Sequence, residues 1–102
     1  MGYGNLAKMA QQMQAEVARV QEEIALLSLE GTAGGGAVKA TVNGHGEVTA
    51  LTIDKEVVDP NDVDMLQDLV TAAVNDGVHK IKAAVDEKTK RLSAGMGLPG
   101  MI

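Results

Sequence analysis

From Met65 to Val85 the chain keeps a helical rhythm yet is apolar almost all the way round. Leu66, Val70, Ala73, Gly77, Ile81 and Val85 make one stripe, and Leu69, Val74 and Val78 lie off it. A helix that is apolar on several faces must be covered on several faces. One side can lie on a sheet of the same chain. The rest requires another helix, and in a chain of 102 residues the natural supplier is a second copy. Tyr3 is the only aromatic residue, so the core is built from Leu, Val, Ile, Met and Ala. Such side chains bury less area each than aromatic rings, which adds to the case for a partner subunit.

A second helix is expected from Asn5 to about Leu27. Leu6, Met13, Val20 and Leu27 recur every seven residues, with Ala10, Val17 and Ile24 interleaved. This is the seam of paired helices. Gln14, Glu16, Gln21 and Glu23 suit its solvated margin, and Asn5 suits the N-cap. The same spacing also serves an ordinary helix packed on its own domain.

Between the helices the period changes to two. "SLEGTA" (28–33) reads as a short strand. In "AVKATVN" (37–43), Val38, Ala40 and Val42 share a face, and in "EVTALTID" (47–54), Thr49, Leu51 and Ile53 do. The intervening "NGHG" is a hairpin signal. The triple glycine Gly34–Gly36 ahead of Lys39 invites comparison with a phosphate-binding loop. Such a loop needs Lys and Ser or Thr directly after the last glycine, between a strand and a helix. Here Ala37 and Val38 follow, and the order is helix, glycines, strand, so these residues are read as a turn. The expected fold is α+β: a long N-terminal helix, a three-stranded antiparallel meander and a long C-terminal helix. It forms a single domain over residues 1–102, with a flexible tail from about 93 to 102. The last helix should begin at Pro60, with Asp59 or Asn61 capping it, and run to about Leu92. Gly77 within it should cost about 1 kcal/mol.

No constellation for catalysis is visible. There is no cysteine. The acid cluster at 59–68 fails as a calcium loop, because Val63 takes a ligand position and Asp64 that of the glycine. His45 and His79 have no matched ligand set. No enzyme activity, metal, cofactor or small-molecule substrate is therefore expected. No apolar run reaches the roughly 20 residues of a membrane span, and the N-terminus lacks a signal-peptide layout. The expected location is the cytoplasm.

Net charge is −5, but it is unevenly spread. Residues 47–76 carry eight acids against Lys55 alone, whereas residues 77–102 carry Lys80, Lys82, Lys88, Lys90 and Arg91 against Asp86 and Glu87. A basic helix end is ordinarily a solvated terminus complementing the helix dipole. It can also meet nucleic-acid phosphates, each contact adding affinity by counterion release.

"GNLAKMAQQMQ" (4–14), "GGGAVKATVNG" (34–44), "LTID" (51–54), "DMLQDLVTAAVNDG" (64–77) and "SAGMGLP" (93–99) together resemble the YbaB/EbfC family of bacterial nucleoid-associated proteins. The resemblance covers nearly the whole chain. It implies an intertwined, tweezers-like homodimer that binds double-stranded DNA and affects nucleoid organisation or gene expression, and the segregated charge adds the expectation of weak, strongly salt-dependent binding with little sequence preference. Carried onto this sequence, the DNA-contacting candidates are Lys8 and Arg19 on the first helix and Lys80, Lys82, Lys88, Lys90 and Arg91 on the last. The candidate dimer interface is Leu66, Leu69, Val70, Ala73, Val74 and Ile81. Val74 stands where such proteins often carry Phe, and Gly77 where they often carry Ala. The alternative is a clasp for other proteins, using the helical arms and adaptable Met9, Met96 and Met101.

Overall fold

The computed structural model describes residues 3–95. Helix α1 spans Tyr3–Ala25, strands β1, β2 and β3 span Ser28–Ala33, Val38–Asn43 and Val48–Ile53, and helix α2 spans Val63–Gly95. The strands form an antiparallel meander in the order β1-β2-β3, so the expected α+β arrangement is the one observed. Residues 96–102 of the expected tail, including Met96 and Met101, lie outside the described residues.

Several boundaries differ from the sequence reading. Helix α1 starts before Asn5, which therefore sits inside the first turn instead of capping it. Helix α2 starts at Val63, later than expected. Its cap is Asp62, whose Oδ1 accepts the Met65 N–H at 3.2 Å. Pro60 belongs to the preceding turn, where the Asp59 carboxylate accepts the Asn61 N–H at 2.9 Å and its carbonyl the Asp62 N–H at 3.0 Å. Short acid side chains close such turns as well as they cap helices, so proline and acids alone left the start ambiguous.

The sheet carries α2 on one face. Val38, Ala40 and Val42 point at it and are fully buried, as the alternation predicts. In β3 the alternation slips. Leu51 pairs with Ala40 and Ile53 with Val38, but a bulge opposite Thr41 and Val42 brings Val48, not Thr49, opposite Val42. Thr49 is the extra residue, and its hydroxyl donates to the Thr41 carbonyl at 3.4 Å. A bulge of this kind shifts side-chain phase by one, which strict period-two counting cannot anticipate.

The triple glycine is a turn. Gly34, Gly35 and Gly36 have φ of 63°, 69° and 96°, the left-handed region that only glycine enters at no cost. They reverse the chain between β1 and β2.

Two other glycines set the helix–sheet distance. A Cβ on Gly31 would lie 2.1 Å from the Gly77 backbone nitrogen and 2.2 Å from the Ala73 carbonyl. A Cβ on Gly77 would lie 2.7 Å from Val42 Cγ2. Gly77 is thus more than a weak point in the helix: its bare backbone lets α2 lie against β1. Ala73 and Ile81, one turn to either side, are buried in the same contact.

Gly31→Ala should therefore destabilise the protein by about 3 kcal/mol, the upper end for an overfilled core, in urea unfolding. Gly35→Ala, with nothing within 4 Å of the added methyl, should cost only the roughly 1–2 kcal/mol of left-handed strain. Equal costs for the two would contradict the close approach.

Candidate nucleic-acid interface

Beyond Ile81, α2 is met by α1, which runs antiparallel to it. Val20 is the one α1 residue buried among those described. Glu23 reaches Lys88 across the helix pair, with Nζ 3.1 Å from Oε1. Farther out, Met9, Met13 and Glu16 of α1 stand beside Arg91 and Leu92 of α2, around an open groove. Two helices thus form an arm projecting from the sheet, and the molecule reaches 74 Å in its longest direction. The heptad seam is only partly satisfied within the chain. Val20 is buried and Ile24 and Leu27 are half-buried, but Leu6, Ala10, Met13 and Val17 remain exposed, as does Met9 beside them.

All seven basic candidates lie on these two helices, but they are not equivalent. Lys8, Lys82, Lys90 and Arg91 are exposed, with no ion pair among the described residues. Arg19 is paired with Glu16 at 2.6 Å on the same helix. Lys80 bonds to Asp76 and to the Glu30 carbonyl of β1, both at 3.1 Å, so it ties helix to strand. Lys88 is drawn in against Glu23, its side chain only 18 % exposed.

Glu16, Glu22, Glu23, Asp86 and Glu87 share these helices, but a second acid cluster lies elsewhere. Asp54, Glu56, Asp59, Asp62 and Asp64 are exposed around the short 3-10 turn Lys55–Val57 and the start of α2. Asp64 and Arg91 lie 27 residues apart on one helix, which is about 40 Å at helical rise. That exceeds the Debye length of about 8–10 Å at physiological salt several-fold, so the acidic end does little to repel a polyanion held at the arm. A net negative protein can in this way present a locally cationic surface.

The spacings Glu16–Arg19 and Asp76–Lys80 were available in the sequence as helical i,i+3 and i,i+4 pairs. The Glu23–Lys88 pair was not, since 65 residues separate its members.

The family model for the YbaB/EbfC DNA-binding family matches residues 1–96. The chain belongs to that family. Relatives named as nucleoid-associated proteins include one from Chloroflexus aggregans, 51 % identical over 96 residues, covering 94 % of this chain and 96 % of the relative. One from Moorella thermoacetica is 47 % identical over 103 residues and covers 98 % and 99 % of the two chains. The crystal structure of an uncharacterized protein from Helicobacter pylori superimposes with a TM-score of 0.65 at 29 % identity, covering 94 % of this chain and 97 % of the other. The motif resemblance read from the sequence is thus confirmed at family level.

Of the six interface candidates, Ala73 and Ile81 are buried within a single chain and offer no surface to a partner. Leu69, Val70 and Val74 pack on the same core, and Leu66 is half-buried. These candidates are therefore largely used by the chain's own sheet.

Two carboxylates sit below their usual range. For Glu23 the main cause is the hydrogen bond from Lys88, then its charge. For Asp76 it is the Thr32 N–H, then the hydrogen bond from Lys80. A depressed carboxylate pKa contributes stability that is complete above the unfolded-chain value and lost as pH falls through the folded one. Both ties should therefore hold at neutral pH and loosen only in acid below the ordinary carboxylate range. Carboxyl carbon NMR titration should give midpoints for Glu23 and Asp76 below those of blocked model peptides. Asn in place of Asp76 should remove the acid sensitivity at β1.

Proposed function

We propose that this protein is a nucleoid-associated homodimer that holds duplex DNA by phosphate contacts from its two-helix arm, with little sequence preference. It belongs in the cytoplasm, on the nucleoid. The supporting observation is the charge gradient along α2: Lys82, Lys90 and Arg91 stand exposed at the arm, only partly offset by Asp86 and Glu87 between them, while the acidic cluster at the start of the helix lies about 40 Å away. Family membership and the names of the relatives point the same way. Side chains on an exposed helix face can follow a phosphate backbone, and phosphate contacts position a protein without reading sequence.

The dimer is best supported at β3. The other edge strand, β1, is guarded by α2: Asp76 accepts the Thr32 N–H at 3.0 Å, and Lys80 donates to the Glu30 carbonyl. The outer edge of β3 has no such cover among the described residues. Helix α2 lies over β1 and β2 but leaves Val48 and Leu51, on the same face, 45 % and 44 % exposed. An open edge beside uncovered apolar side chains is a site for strand pairing. A second copy placed there would cover both and give the DNA two arms.

A clasp for other proteins is favoured by one observation, the exposed stripe Leu6, Met9, Met13 and Val17 on α1. Recovery of bound proteins after nuclease treatment, from a protein without DNA affinity, would support it over the first reading.

Affinity for duplex DNA should fall linearly as salt rises on logarithmic axes. Replacing Lys82, Lys90 and Arg91 with Ala should weaken binding to unrelated sequences alike and flatten that slope by roughly 0.9 for each phosphate no longer neutralised. Salt-independent binding, or weakening confined to one sequence, would contradict phosphate contact. For the dimer, light scattering should report two chains for the wild type and one for Leu51→Lys. A folded wild-type monomer at micromolar concentration would sink the β3 interface.

A further inference from the structure

The basic arm contains its own anions. A cleft of about 450 Å³ opens between α1 and α2, and Arg19, Lys88 and Arg91 line it together with Glu16 and Glu23. Three cations converge there, from both helices. Glu16 already holds Arg19, and Glu23 holds Lys88. The two pairs differ in kind. Glu16 and Arg19 are neighbours on one exposed helix turn, with side chains 46 % and 65 % exposed, and such pairs form and break at little cost. The Glu23–Lys88 pair bridges the two helices, and its lysine is the least exposed of those in ion pairs.

We infer that Glu23 is a built-in rival of DNA phosphate: its carboxylate occupies Lys88 in the free protein, and a backbone phosphate entering the cleft takes Lys88 from it. The inference rests on the DNA-binding reading above and concerns how that binding is limited. A carboxylate and a phosphodiester each carry one negative charge and present acceptor oxygens to an ammonium group. A lysine bound to either is neutralised. When a phosphate replaces Glu23 on Lys88, the charge gained at the DNA is offset by a glutamate left unpaired beside Arg19 and Arg91. Lys88 therefore adds less to affinity than an unpaired lysine at the same place. Lys82 and Lys90, exposed on the same helix, form no ion pair among the described residues, although Asp86 and Glu87 stand between them. Because a glutamate is ionised through the neutral range and Lys88 only lowers Glu23 further, the rivalry is a constant brake and not a physiological pH switch. It suits a protein that must bind DNA widely and let go.

The test is fluorescence anisotropy with a labelled duplex at several salt concentrations, using the full chain. Glu23→Gln keeps the shape and removes the charge. It should bind roughly 3- to 10-fold tighter at low salt, with the salt slope little changed, because Lys88 meets a phosphate in both proteins. Glu23→Ala should do the same, which guards against an effect peculiar to glutamine. Lys88→Ala should cancel the gain: the Glu23→Gln, Lys88→Ala double variant should bind like Lys88→Ala alone. Unfolding midpoints measured in parallel show whether each variant is folded. Unchanged affinity in folded Glu23 variants would overturn the inference, and so would weaker binding, which would make Glu23 a positioning residue for Lys88. In either case salt-dependent binding by the wild type would leave the DNA reading standing. A wild type without salt-dependent binding would remove both.

Discussion

Where β1 crosses α2, two backbones meet with no side chain between them. Gly31 and Gly77 make this possible, and any Cβ at Gly31 would fall within 2.2 Å of helix backbone atoms. The rest of the molecule follows from this crossing. It seats Ala73 in the core beside Val38 and Ala40, with Ile81 buried farther along the helix. It brings Asp76 to the Thr32 N–H and Lys80 to the Glu30 carbonyl, so the free edge of β1 is closed by the helix. It also fixes the direction in which α2 leaves the sheet, and hence where the arm and its cations stand. With an alanine-sized spacer, helix and sheet would separate and the small aliphatic core would be opened at its tightest point.

Much of this was legible in the residues. The meander, both long helices and the glycine turn follow from period-two runs in "AVKATVN" and "EVTALTID", from helical periodicity on either side, and from three glycines with nothing else to do. The departures have local physical causes. Asp62 and Asp59 are both acids able to close a turn, and backbone geometry decided which of them capped α2. Thr49 left its face because of a bulge that no alternation pattern records. Gly77, which in sequence reads as a helix weakness, is half of a packing contact whose other half lies in β1. Periodicity can show that a helix face is apolar; it cannot show whether the same chain or another one covers it. For that reason the stripe containing Ala73 and Ile81 reads as a partner's surface in the sequence and lies on the chain's own sheet in the fold.

The candidate site was legible only as a list of bases. All seven are on the two helices of the arm, yet their availability differs. Arg19 and Lys80 have partners at helical spacing, which sequence could have flagged. Lys88 has one 65 positions away, which it could not. What the fold adds is distance. By extending one helix from an acidic start to an end richer in bases, it holds that acidic cluster several screening lengths from the arm's cations, so a net charge of −5 leaves room for a local cationic surplus.

The central claim is that the arm, and not the sheet or the acidic end, meets DNA. The most direct measurement is backbone amide NMR of the labelled protein during titration with a short duplex. Perturbations should concentrate on α1 and on α2 from about Lys80 to Arg91, with residues 54–68 unmoved. Perturbations centred on 54–68, or on the open face of the sheet around Lys39 and Thr41, would contradict it.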